Sequence, residues 1–274
     1  MRAILSIVIL TLAAQPALAQ WDQLIKNADR LKKGAKVAQA MTREFTEEEE
    51  IALGRIVAAR VLATYPLAED QTLQQYVTLV GRTVAAYSER PDLPWHFAAI
   101  ETPVVNAFSC PGGYVFVTTG ALDQMESEAE LAVVLGHEIA HATEKHILSE
   151  IKRANVVTEG LNVAQAELGR GGMTDELARK VSNVAYDKLF NSGIGRKEEL
   201  EADRIGVALA AKAGYRSASY SHFLEALEAL ATSKSSSFSQ LASTHPKPAD
   251  RLRAVRPSFA EGGADLAERW AAAW

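Results

Sequence analysis

The pattern of apolar and polar positions reads as helices first, a short run of strands near residue 100, and helices again. Thr46 with Glu49 forms a capping-box signature that opens a helix to about Tyr65, and Asp70 caps a second running to about Glu89. WHFAAIE and GGYVFVTTG then concentrate β-branched and aromatic residues between prolines and glycines, which predicts short strands with a turn at Pro111-Gly112-Gly113. Ser127 and Glu130 make another capping box, and with Gly136 as the single interruption the run after it predicts a helix from about Glu128 to Ile151. Residues 195–214, GRKEELEADRIGVALAAKAG, predict a further helix stopped by Gly214. Residues 149–192 read as a mostly helical insert broken at Gly169 to Gly172, TSKSSSFSQ at 232–240 as a mobile polar loop, and ADLAERWAAAW as a short helix whose Trp270 and Trp274 pack back. The sum is a mainly helical α+β fold with one small sheet.

MRAILSIVILTLAAQPALAQ carries Arg2, an apolar run from Ala3 to Ala14 and the small-x-small Ala17-Leu18-Ala19, which predicts a secretory signal peptide over residues 1–19. No later apolar run approaches the roughly eighteen residues of a membrane span. Residues 20–45 form a basic, weakly amphipathic helical segment that could lie on the body of the protein or on a lipid surface, so peripheral membrane contact is an expectation.

Composition acts mainly by exclusion. With 274 residues, 48% of them apolar, the chain can bury a sizeable core. The net charge of -5 is dispersed and forms no basic stripe, which excludes nucleic acid as a partner. Cys110 is the sole cysteine, so export brings no internal disulfide, and a bacterial periplasm fits.

The candidate chemistry stands inside the helix predicted after Ser127, in VVLGHEIAHATEKH, residues 133–146. His137 and His141 are four apart, so at 3.6 residues per turn both imidazoles project from one face and reach one metal ion. Two histidines leave positions for a third ligand and a water, and Zn²⁺ lowers the pKa of that water toward roughly 7. Glu138, beside them, is placed to accept its proton. His146 comes one place early for the third histidine of an H-E-x-x-H-x-x-G-x-x-H site, so it reads as a surface residue or one behind the ligands. The other route is a carboxylate from a later helix. Glu198, Glu199, Glu201 and Asp203 all stand near the start of the 195–214 helix, where the helix dipole favours acids in any case.

VVLGHEIAH followed by EELEADRIG resembles the zinc peptidase family that includes the CAAX prenyl protease and the heat-shock protease HtpX. The resemblance implies a gluzincin-type metallopeptidase, its small sheet beside the H-E-x-x-H helix. The family's E-x-x-A-D element falls on Glu199 to Asp203, which implies Glu199 as the third ligand beside His137 and His141, and Asp203 as the partner that orients a histidine. NAFSCPGGYVFVTTGAL, residues 106–122, is similar to a family strand segment, and implies that Asn106, Gly112, Gly113 and Tyr114 belong to an edge where an extended peptide adds by main-chain bonding. Cys110 within it reads as a small buried or rim residue. STHPKPADR, residues 243–251, is similar to the H-P-x-x-x-x-R element of soluble periplasmic members and nominates His245 and Arg251. His245 would either displace the catalytic water in a latent state or hydrogen-bond the oxyanion in a working one.

The resemblance covers residues 46–255, so the expected organisation is a signal peptide at 1–19, a basic segment at 20–45, a peptidase domain at 46–255 and a tail at 256–274. The expected function is an endopeptidase with one zinc ion per chain. It would cleave misfolded or misassembled envelope proteins entering as unfolded or extended segments, in contact with envelope assembly machinery. The competing class is a zinc-stabilised chaperone or assembly factor in which His245 closes the site, and a third reading is a zinc hydrolase of something other than peptide.

Overall fold

The computed structural model describes residues 44–154 and 175–273. The expected signal peptide, nearly all of the basic segment, the glycine break at Gly169 to Gly172 and Trp274 lie outside the described residues. What is described is a mainly helical α+β fold around one three-stranded sheet.

Helix α1 (Glu47–Thr64) opens on a complete capping box: Glu49 N–H donates to Thr46 Oγ1 at 3.3 Å and Thr46 N–H to Glu49 Oε2 at 3.1 Å. It stops where Tyr65, restricted by Pro66, turns extended. Helix α2 (Gln71–Ala85) is capped by Asp70, whose Oδ1 accepts from Thr72 N–H at 2.7 Å and Leu73 N–H at 3.1 Å, an arrangement worth about 1 kcal/mol. It ends short of the expected Glu89. The backbone closes into three-residue turns at Tyr87 and Ser88, and the Ser88 hydroxyl then accepts from the N–H of Arg90, the residue before Pro91.

The sheet has the order β1-β3-β2, with β1 (His96–Ile100), β2 (Ala107–Cys110) and β3 (Tyr114–Thr118). β1 runs parallel to β3 with Ala98 opposite Phe116, and β2 runs antiparallel with Phe108 opposite Phe116. A tight turn over Pro111–Gly113 joins β2 to β3, with Gly112 at φ 71°. The N–H of Gly112 donates to Glu50 Oε1 at 3.1 Å; the same buried carboxylate takes Arg90 at 2.9 Å and Lys145 at 3.6 Å. One glutamate of α1 thus ties the strand turn to the end of the central helix.

After the short α3 (Thr119–Leu122), that central helix is α4 (Glu128–Thr143), buried along its length from Glu128 to Ala142. Ser127 caps it, but the return arm of the expected box goes one residue further back: Glu130 Oε2 accepts from the N–H of Glu126 at 3.0 Å. The predicted single helix to Ile151 is two. Lys145 adopts φ 56°, ψ 37°, and α5 (His146–Arg153) departs in a new direction. The left-handed residue is a lysine rather than a glycine, so the sequence gives no break signal there.

Helix α6 (Asp175–Asp187) continues into a π-helical turn, Lys188–Ser192, and α7 (Arg196–Lys212) then packs directly on α4. The two helices touch backbone to backbone at Gly136 and Gly206. A Cβ on Gly136 would stand 2.8 Å from the Gly206 carbonyl oxygen, and one on Gly206 would stand 2.5 Å from the His137 nitrogen. Acidic side chains of α7 therefore reach the histidines of α4.

Helix α8 (Tyr220–Thr232) closes the core with Tyr220, Phe223, Leu224 and Leu227. The expected serine-rich loop is instead a 3₁₀ turn, Ser236–Phe238, leading into α9 (Ser239–Thr244). Serine hydroxyls satisfy the local backbone, as in Ser239 Oγ to the Ser236 carbonyl at 2.8 Å, and Phe238 is buried. α10 (Pro248–Val255) begins on a proline. Near the end of the chain α11 (Ala267–Ala273) packs back: Trp270 is buried, its Nε1–H donates to the Met125 carbonyl at 2.9 Å, and Arg269 pairs with Glu128. Among the described residues no helix is long and apolar enough to cross a membrane.

Candidate metal centre

His137, Glu138 and His141 lie in the middle of α4, all buried. From the first turns of α7, Glu199 and Asp203 face them, four residues apart on one side of that helix. His245 enters from the opposite side. As the residue before Pro246 it is extended, and this ends α9 and turns the ring inward.

The three imidazoles share one arrangement. His137 Nε2 is 3.7 Å and His245 Nε2 3.5 Å from Glu199 Oε2, and His141 Nε2 is 3.5 Å from Glu199 Oε1. The Nδ1 atoms point outward to partners: Asp203 Oδ1 at 2.9 Å from His137, His146 Nδ1 at 2.8 Å from His141, and Thr244 Oγ1 at 2.9 Å from His245. The donor atoms of His137, Glu199 and His245 lie within 4.8 Å of one another, and His141 Nε2 is 3.0 Å from His137 Nε2.

The His137 tautomer follows from its neighbours. Burial acts to raise the Asp203 carboxyl, but the Arg251 guanidinium beside it holds that carboxyl well below the usual range. An ionised Asp203 can only accept, so His137 Nδ1 carries the proton and Nε2 presents a lone pair. Arg251 donates to both carboxylate oxygens, at 2.7 and 3.0 Å, and to Tyr220 Oη at 2.6 Å. Tyr220 in turn donates to Asp203 Oδ1 at 3.0 Å.

These residues fit a divalent cation. Glu199 Oε2 is buried and has no hydrogen-bond partner. Burial raises the Glu199 carboxyl well above its ordinary value and lowers the pKa of His137, His141 and His245. Neutral imidazoles converging on a buried carboxyl group with an oxygen that has no hydrogen-bond partner are the donor set a metal satisfies.

Glu138 occupies the next position on α4, beside the converging nitrogens. Burial pushes its carboxyl up to about 8, and the side chain and backbone of Ser109 on β2 hydrogen-bond to it. One cavity at Glu138 is lined by Asn106, Val134, Phe223, Leu241, His245 and Arg251, and a second by Phe108, Ser109, Leu189, Gly193, Glu199 and Thr244. The insert thus covers the site through its last residues, and Phe190 packs edge-on against Phe108 at 4.6 Å.

Of the strand residues, Asn106 lines the first cavity, whereas Gly112, Gly113 and Tyr114 line neither. Gly112 and Gly113 pack against Ile51 and Leu93, and Tyr114 stacks on His96 at 4.7 Å. β2 is an edge strand, and all four of its residues are buried. Cys110 is buried, and burial pushes its thiol pKa up. Glu198 pairs with Arg153 at 3.0 Å rather than standing free.

Sequence reading missed Tyr220 and Ser109, which carry no local signal because their partners, Asp203 and Arg251 for Tyr220 and Glu138 for Ser109, lie in other elements. His146 is buried behind His141, the second of the two places expected for it.

The beta-barrel assembly-enhancing protease of Yersinia pestis is 29% identical over 219 residues, which is 76% of this chain and 43% of the relative. That of Escherichia coli K12 is 26% identical over 211 residues, again 76% of this chain and 43% of the relative. A mitochondrial metalloendopeptidase of Schizosaccharomyces pombe is 33% identical over 180 residues, 66% of this chain and 51% of the relative. The chain therefore spans less than half the length of the bacterial relatives it matches. A family model matches residues 71–258, a span that holds α4, α7 and His245 together, and by that match the chain belongs to peptidase family M48.

Proposed function

We propose that the protein is a zinc-dependent endopeptidase with one zinc ion per chain, held by His137, His141 and Glu199. The observation that carries this reading is the convergence of imidazole Nε2 atoms on Glu199, whose Oε2 has no hydrogen-bond partner. A cation so held supplies Lewis acidity, which polarises a peptide carbonyl and acidifies water. Glu138 is the general base: it takes the proton of the attacking water and delivers it to the leaving amine nitrogen. Asp203 fixes the His137 ring, and Arg251 with Tyr220 fixes Asp203. An extended substrate segment lies along β2 beside Asn106, with the Pro111–Gly113 turn and Tyr114 supporting the strand from the side of α1.

His245 adds a fourth donor, 3.5 Å from Glu199 Oε2, where water and a substrate carbonyl would have to come. We assign it to a latent state, opened by movement of the segment that carries it. The names of the bacterial relatives, together with the signal peptide expected at residues 1–19, support a periplasmic enzyme acting on misfolded or misassembled envelope proteins. Contact with envelope assembly machinery and peripheral membrane contact through residues 20–45 belong to the same proposal. The closed position of His245 also favours a second reading, a zinc-stabilised chaperone or assembly factor without proteolysis.

Casein cleavage at matched zinc content tests both. Glu138→Gln keeps its zinc and loses activity by about 10²–10⁴-fold, and His245→Ala gains activity over the wild type. Equal cleavage by Glu138→Gln removes the mechanism, and no gain in His245→Ala supports the chaperone.

A further inference from the structure

The Nδ1 atoms of His141 and His146 are 2.8 Å apart, with the two rings edge-on at 69° and their centroids at 4.9 Å. Along an uninterrupted helix residues five apart point about 140° away from each other, so these rings could not meet. They meet because Lys145 is left-handed, a conformation that costs a residue with a Cβ roughly 1–2 kcal/mol. The break restarts the chain as α5 with His146 at its first position, turned back under α4 and buried.

The proton arrangement is constrained from the other side. His137 Nδ1–H is committed to Asp203, so His137 Nε2 is an acceptor, and His141 Nε2 stands 3.0 Å from it. For His141 to offer a lone pair to a shared cation, its own proton must sit on Nδ1. Its hydrogen-bond partner there is His146 Nδ1.

We propose that His146 is a positioning residue of the metal centre: its Nδ1 accepts the Nδ1–H of His141 and so holds that ring, and its tautomer, with Nε2 toward Glu199. His146 then carries its own proton on Nε2. It does for His141 what Asp203 does for His137, but with a neutral acceptor. The inference rests on the reading of His137, His141 and Glu199 as metal ligands.

Long-range ¹H–¹⁵N NMR of the zinc-loaded full chain reads the His146 tautomer directly, and chelator competition reads zinc affinity. The wild type shows His146 with its proton on Nε2 and its Nδ1 accepting from His141. His146→Leu weakens zinc roughly 10–100-fold, the usual cost of losing such a partner. His146→Asn, whose Oδ1 falls near the place of Nδ1, restores the affinity toward wild type. A zinc-loaded wild type with His146 protonated on Nδ1 overturns the proposal even if His146→Leu fails to fold, and so does a folded His146→Leu with unchanged affinity. A wild type that binds no zinc overturns the metal reading on which the proposal rests.

Discussion

Arg251 grips Asp203 with both of its available edges, Nε to Oδ2 at 3.0 Å and Nη2 to Oδ1 at 2.7 Å, and both side chains are almost fully withdrawn from water. A pair this buried is held by geometry, and removing one partner strands the other charge. Arg251→Met should therefore lower stability by about 3–5 kcal/mol in urea unfolding of the metal-free chain. Adding Asp203→Leu should recover a large part of that loss, since the stranded carboxylate goes with it. A loss in the double variant equal to the sum of the two single losses would show that the pair is not coupled.

Glu130 gives a pH dependence away from the metal centre. Burial raises its carboxyl to about 7, against which the hydrogen bond from the Glu126 N–H, the nearby His222 and the Ser127 hydroxyl act only in part. The folded protein therefore holds this proton where the unfolded chain has released it. The contribution is full below the ordinary carboxyl value of about 4.5 and is lost as pH rises through about 7. In Glu130→Gln the Tm should fall less than in the wild type across that window. An unchanged slope would contradict the assignment.

Trp270 tests whether the end of the chain is part of the fold. Its ring stands 5.9 Å from that of Tyr76 and its nitrogen holds the Met125 carbonyl, just before α4. Trp270→Ala should cost about 3–5 kcal/mol. A loss under about 1 kcal/mol would mean that the segment merely rests on the surface.

Local patterns made the elements legible. Thr46, Asp70 and Ser127 announce their helices because a cap and its first turn are neighbours in sequence. His137 and His141 are legible for the same reason, since four residues is one helical turn. Glu199 was distinguishable from Glu198 and Glu201 only through the resemblance to a family, because the choice depends on where α7 crosses α4, and Gly136 and Gly206 set that crossing. The break at Lys145 left no trace in residue type, so the single helix expected to Ile151 is two, and the contact between His146 and His141 was hidden with it. Tyr220 reaches Asp203 from another helix altogether, a relation no spacing rule contains.

The account turns on Glu199 joining His137 and His141 around one cation, and zinc content after exhaustive dialysis, measured on wild type, Glu199→Ala and His245→Ala, tests it most directly. The wild type and His245→Ala should each retain about one zinc per chain, as a site with three protein ligands requires. Glu199→Ala should lose affinity by more than the roughly 10–100-fold that an outer partner costs. A folded Glu199→Ala that keeps its zinc with wild-type affinity would contradict the account.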